Sequence, residues 1–296
     1  MHPVLFRFGP ELALSVYGIL VAAAFAGGLY LVGRSGPRYG ISQDQVLDFG
    51  FWMLVSTLAG ARLLFLVVHW RLYADACSEG RCLEVLKFWK GGLVFYGGLL
   101  GAIAGSIVYA RRAKIPYLLL ADVAAPSVAI GHAIGRIGCF FAGCCQGRAG
   151  GGLLGVSFPR GSGAWVDWVR EGMPRSVGAT PPLHPAQLYE VFFDLILFFV
   201  LLRVKSRKRF HGQAIVTYLL GYAGIRFLLE VVRADADRGF VLRRAWPALS
   251  RALGLPPADP VVLSTSQAIS LLIAAGATIV LLRVRRSSNN VPRTTP

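Results

Sequence analysis

The sequence predicts an all-α fold, a polytopic transmembrane helical bundle of about seven spans, with the amino terminus outside and the carboxyl terminus inside. Three observations predict it. The 296 residues are 55% hydrophobic and 16% charged, with a mean hydropathy of +0.56; soluble domains carry about a quarter charged residues. Apolar segments able to cross about 30 Å of hydrocarbon, which takes about 20 helical residues, recur along the chain. Basic residues gather in alternate connecting loops.

The apolar segments are read at 12–33, 46–69, 93–110, 118–138, 187–202, 212–232 and 262–282. The first has no small-residue cleavage site and is expected to stay as a span rather than leave as a signal peptide. Loop 34–45 holds Arg34 and Arg38, loop 111–117 holds Arg111, Arg112 and Lys114, and loop 203–211 reads "RVKSRKRFH". Short, dense, basic loops stay inside. The longer, mixed-charge loops 70–92, 139–186 and 233–261 then lie outside. They belong to one membrane domain, 1–286, with an amphipathic helix expected near 242–253 and a disordered cytoplasmic tail at 287–296.

The net charge of +16 is therefore read as membrane-anchoring flanks. No stacked-aromatic motif for nucleic acid accompanies it, and no nucleic-acid partner is expected. The five cysteines, Cys77, Cys82, Cys139, Cys144 and Cys145, all fall on the predicted outer side, where disulfides persist. Cys77 and Cys82 flank a short loop and could pair. The spacing CxxxxCC lacks the second ligand pair of a zinc site, so no metal is expected.

Ionisable groups inside spans are costly and mark functional candidates. In "GYAGIRFLLEVVR", Tyr222, Arg226 and Glu230 recur at helical spacing and Arg233 follows, giving a polar stripe on one face. Arg226 and Glu230 could also simply neutralise each other. Arg136 lies near the outer end of the fourth span, with His132 one turn before it and Asp122 at the inner start. An arginine there could snorkel to the surface. The glycines around it, Gly131, Gly135, Gly138, Gly143 and Gly147, argue for close backbone approach to a ligand. Guanidinium groups present paired donors that suit phosphate. Two arginines from separate spans would thus hold an anionic lipid headgroup. His184 opens "HPAQLYE", with Pro185 at the start of the fifth span and Glu190 one turn inside; it could equally cap the helix. "GGLVFYGGLLGAIAG" in the third span fits either helix packing through small residues or room for a lipid chain beside Tyr96.

The order and spacing of "VYGILVAAAFAGGLYL", "GGLVFYGGLLG", "ADVAAPSVAIGHAIGRIGCFFAGCCQGR", "HPAQLYE", "GYAGIRFLLEVVR" and "STSQAISLLI" resemble the prolipoprotein diacylglyceryl transferases across nearly the whole chain. The resemblance implies an enzyme of the bacterial inner membrane. It would move the diacylglyceryl group from phosphatidylglycerol to the lipobox cysteine thiol of a preprolipoprotein signal peptide and release glycerol phosphate. No cofactor is implied; the partners are membrane lipid and that peptide. The positions that match are Tyr17, Arg136, Gly138, Gly147, His184, Tyr222, Arg226, Glu230 and Arg233. Arg136 and Arg226 would grip the phosphate and stabilise the charge that leaves, with Glu230 alongside them in the catalytic set. Tyr17, Tyr222, Gly97, Gly98, Gly138, His184 and Arg233 would bind substrate.

The chain departs from that family's pattern. Its central run usually reads Gly-Arg-x-Gly-Asn-Phe-x-Asn-x-Glu; here Cys139 and Ala142 replace the asparagines and Cys144 the glutamate. The third span usually has His-Gly-Gly and here has Tyr96-Gly97-Gly98. Three readings stay open. His132 supplies the base; Tyr96 positions substrate while the departing phosphate takes the proton; or the chemistry is altered, as a headgroup transferase with another acceptor or a non-catalytic lipid-binding protein.

Overall fold

The computed structural model describes residues 4–8, 12–78, 80–86, 91–150, 152–233, 239–252 and 260–289. Strands β1 (Val4–Phe8) and β2 (Leu12–Ser15) pair, and β2 runs straight into α1 (Val16–Ser35). There follow α2 (Gln43–Val68), α3 (Trp70–Ser78), α4 (Phe95–Arg112), α5 (Tyr117–Ala142), α6 (Gly163–Arg170), α7 (Ala186–Ser206) and α8 (Gln213–Leu229). Strand β3 (Phe240–Ala245), α9 (Pro247–Ala252), β4 (Pro260–Ser264) and α10 (Thr265–Asn289) close the described chain, with β3 and β4 antiparallel.

A helix stands at each of the seven predicted spans. Among the described residues, four stretches are long and apolar enough to cross a membrane: Val16–Tyr39, Gln43–Val68, Tyr117–Ala142 and Thr265–Val284. The other three fall short for visible reasons. α4 closes on Arg111 and Arg112, α7 carries Glu190 and Asp194, and the apolar run of α8 is only 17 residues long.

The prediction of helix alone needs correcting at the ends. Residues 12–15 and 262–264, placed in the first and last spans, are strands. The amphipathic helix expected near 242–253 is the six-residue α9, preceded by a strand. Aromatic Phe240 and β-branched Val241 suit an extended ribbon, and Pro247 starts the helix where its missing N–H is harmless. The tail expected to be disordered from 287 is still helical at Asn289; residues 290–296 lie outside the described residues.

The chain forms two compact units. One comprises Arg7–Ala13 and Leu29–Val123. Here α2 begins with a capping box, in which Ser42 Oγ accepts from Gln45 N and the Gln45 side chain accepts from Ser42 N. α4 lies against α2 along a seam of small residues. A Cβ on Gly101 would collide with the Ser56 carbonyl and lie 3.1 Å from Gly60 Cα. Gly97 is equally tight against the Gly60 carbonyl and Leu64. Gly98 touches Thr57 and Ala61, with both glycines buried. Small residues let helix backbones approach closely where lipid offers no hydrophobic drive. Gly101→Ala should therefore destabilise this unit by about 1–3 kcal/mol, because the obstacles are backbone. Gly27→Ala, where nothing stands within 4 Å, should leave thermal unfolding in detergent unchanged.

Arg62, inside α2, organises the loop beyond it. Its Nε donates to the Val85 carbonyl at 2.8 Å and its Nη1 to the Gly91 and Gly92 carbonyls at 3.0 and 3.1 Å. Its plane also sits over Phe65 and Tyr73. Cys82, in this loop, is disulfide-bonded; the Cys77 side chain lies outside what is described.

The second unit comprises Met1–Phe6, Leu14–Gly28 and Ala124–Pro296. Ala125 and Ala129 of α5, Leu197 and Leu201 of α7, and Ala214 of α8 form its apolar centre, with Tyr218 and Tyr222 packed against it. The connection 143–185 folds on itself around Phe158, Ala164 and Leu183, all fully buried.

Candidate functional site

The second unit buries three carboxylates and gathers three arginines around them. Glu190 and Asp194 are one turn apart on α7 and are 1% and 0% exposed; Glu230, which caps α8, is 1% exposed. Arg136 of α5 sets its Nε 3.0 Å from Glu190 Oε2, and Arg233 places Nη1 3.9 Å from the same oxygen. On α8, Arg226 Nη2 lies 2.9 Å from Glu230 Oε2 and donates to Ser266 Oγ at 3.2 Å. Ser264 Oγ donates to Glu230 Oε1 at 2.9 Å. Buried charges persist only when paired in this way.

The pairing also orients the guanidinium groups. Arg136 and Arg226 each turn one edge to a carboxylate, and a guanidinium carries five N–H donors in all. Arg226 Nη1 is buried with no hydrogen-bond partner among the described residues. The Tyr222 hydroxyl feels both the Arg136 and the Arg226 charge, as well as Glu190 and Asp194. Tyr222 thus lies within electrostatic reach of two arginines from different helices.

His132 faces the same cluster. Its Nδ1 lies 2.8 Å from Asp194 Oδ2, its Nε2 3.7 Å from Glu190 Oε1, and its ring meets Tyr222 edge-on at 5.1 Å. Asp194 thus lies against Nδ1, and Nε2 is the ring nitrogen turned toward Glu190.

Arg233 lies beyond the end of α8, so the stripe read as one helix face stops at Glu230. The backbone takes over. Gly147 N donates to the His184 carbonyl and Arg148 N to the Val232 carbonyl, both at 2.8 Å, while His184 N donates to the Arg148 carbonyl at 3.0 Å. Gly147 is thereby wedged between two strands of chain, and a Cβ there would come within 2.7 Å of the Val232 carbonyl. His184 Nδ1 is 3.2 Å from the Tyr189 hydroxyl, and burial holds this imidazole below its usual range.

The end of α5 carries the thiols. Gly143 is left-handed, at φ 66°. Its N–H bonds the Phe140 carbonyl and Cys144 N–H bonds the Cys139 carbonyl, each at 3.1 Å. This pair of bonds is a Schellman turn, which folds the residue after the glycine back over the last helical turn. Cys144 therefore lies against Cys139, and Cys145, itself left-handed at φ 61°, turns its thiol to join them. The three Sγ atoms lie within 4.8 Å of one another. Hydrogen bonds with Cys139 and Cys144, and the charges of Arg233 and Arg136, hold the Cys145 thiol far below the usual range. Tyr17 borders this cluster and packs on Gly138, where a Cβ would sit 3.0 Å from its ring.

A family model described as prolipoprotein diacylglyceryl transferase matches residues 3–283. The chain belongs to the prolipoprotein diacylglyceryl transferase family. Relatives named phosphatidylglycerol–prolipoprotein diacylglyceryl transferase include the Lactiplantibacillus plantarum protein, 33% identical over 86% of each chain. The Geobacter sulfurreducens protein is 32% identical over 81% of this chain and 86% of its own. That of Pseudoalteromonas atlantica is 34% identical over 79% of this chain and 76% of its own.

Of the residues the sequence singled out, this diacylglyceryl transferase family member brings His132, Arg136, Tyr222, Arg226, Glu230 and Arg233 into one part-buried cluster. Tyr17, Gly138, Gly147 and His184 line its borders. Tyr96, Gly97 and Gly98 belong to the other compact unit. There Tyr96 is 57% exposed and the two glycines serve the packing of α4 on α2. Sequence reasoning missed Asp194 and gave Glu190 no role. The signal was present, since two acids four apart within one span share a helix face.

Proposed function

We propose that the chain transfers the diacylglyceryl group of phosphatidylglycerol to the lipobox cysteine of a preprolipoprotein, in a bacterial inner membrane that it crosses seven times with its amino terminus outside. The relatives' names support the substrate pair. The observation that carries the reading is a pair of arginines on different helices, Arg136 and Arg226, each held by a buried carboxylate, Glu190 and Glu230.

In this reading the phosphate of phosphatidylglycerol takes the donors that Glu190 and Glu230 leave unused, Arg226 Nη1 among them. Tyr222 orients the headgroup, and Tyr17 with Gly138 borders it. The incoming thiol gives its proton to His132 Nε2, whose ring Asp194 holds. Its sulfur forms a bond to the glyceryl carbon as the C–O bond to phosphate breaks. Glycerol phosphate leaves with its charge on the arginines, and groups preorganised for such charge typically contribute a hundred- to a thousand-fold in rate.

Adding the gene to a strain depleted of its own transferase should restore growth and lipidated lipoprotein. Purified protein with headgroup-labelled phosphatidylglycerol and a lipobox peptide should release labelled glycerol phosphate as the peptide gains a diacylglyceryl group. Release without peptide modification would point instead to another acceptor, the reading that Cys139, Ala142 and Cys144 favour. No rescue and no release at good expression would end the transferase proposal.

A further inference from the structure

The trio Cys139, Cys144 and Cys145 is not used by the reaction above. We propose that it is a three-coordinate thiolate site for a soft monovalent cation of the copper(I) class. The backbone builds it. The Schellman turn sets Cys144 against Cys139, and the left-handed residue that follows brings in Cys145. Three bonds of about 2.3 Å spread in a plane would separate the sulfurs by about 4 Å, within the 4.8 Å that bounds them here. All three thiols are free and half-buried.

The donor set chooses the ion. Soft thiolates select soft metals, and no fourth His, Cys, Asp or Glu joins the group among the described residues. A tetrahedral zinc site is therefore incomplete, which is why the CxxxxCC spacing gave no metal by ligand counting, whereas trigonal coordination needs three sulfurs only. A monovalent ion on three thiolates makes a complex of charge −2. The guanidinium groups of Arg136 and Arg233, both close enough to act on Cys145, offset part of that negative charge. The site is independent of the transferase reading, since it stands whether or not the chain transfers lipid.

The test uses full-length protein in detergent and the C77S/C82S variant, which keeps only the trio and so can be fully reduced. Titrated with copper(I) against a chromophoric copper(I) chelator, both should withdraw one equivalent per chain. X-ray absorption should find about three sulfur neighbours and no nitrogen or oxygen. C139S, C144S and C145S should each weaken retention at least ten-fold. Copper uptake no greater than that of a triple serine variant would overturn the proposal. So would nitrogen or oxygen ligation in the parent protein, a result that does not depend on how well the variants fold. A disulfide within the trio, found by thiol counting on unreduced, denatured protein, would overturn it as well.

Discussion

Alanine at Arg226 should lower diacylglyceryl transfer at least a hundred-fold and abolish rescue of a depleted strain, and alanine at Arg136 should do the same. Losing one donor aimed at developing charge typically costs about a hundred- to a thousand-fold in rate. Each change also removes one partner of a buried acid, Glu230 or Glu190, and breaking a buried pair destabilises by about 3–5 kcal/mol. Loss of activity alone would therefore be ambiguous. Arg226→Lys separates the two effects. It keeps a positive charge beside Glu230 but replaces the planar fork with a single ammonium, which cannot offer phosphate two parallel donors. The lysine variant should unfold within a few degrees of the parent and still transfer at least ten-fold more slowly. Parental activity in Arg226→Ala, assayed at equal folded protein, would show that this guanidinium does not hold the phosphate.

Glu190→Gln should be the most destabilising single change in the second unit. The Glu190 carboxylate faces Arg136, Arg233 and His132 at once, and at 1% exposure water cannot replace it. Glutamine keeps the shape and removes the charge. The expected loss is about 3–5 kcal/mol, read as a clear fall in the thermal midpoint in detergent, together with severe loss of transfer. Because Glu190 and Arg136 share an interaction, combining Glu190→Gln with Arg136→Gln should destabilise by less than the sum of the two. Additivity to within a few tenths of a kcal/mol would mean the pair is not coupled.

The helices were legible because apolar length is a strong signal, and every predicted span overlaps a helix. Their ends were less so. Residues 12–15 and 262–264 are apolar enough to read as span, yet they pair as strands, and hydropathy is blind to hydrogen-bond partners. In the site, the arginines and Glu230 stood out as charges within apolar runs. The partnership of Glu190 with Arg136 did not, since it joins residues about fifty positions apart on different helices. The thiols were visible, but their convergence depends on a left-handed turn at Gly143. Cysteine spacing by itself carries no such information. Tyr96, Gly97 and Gly98 matched a family motif by position, and their glycines are spent on helix contact.

The paired charges bear on how the chain is made. Arg136 leaves the ribosome roughly fifty residues before Glu190, a delay of several seconds at about 5–20 residues per second. During that interval α5 would carry an uncompensated cation near its outer end, at a cost below the about 2.5–3.5 kcal/mol that insertion experiments give for the bilayer centre. The helix therefore gains from waiting beside the translocon until α7 delivers its acids, so that membrane entry of the two is concerted rather than sequential.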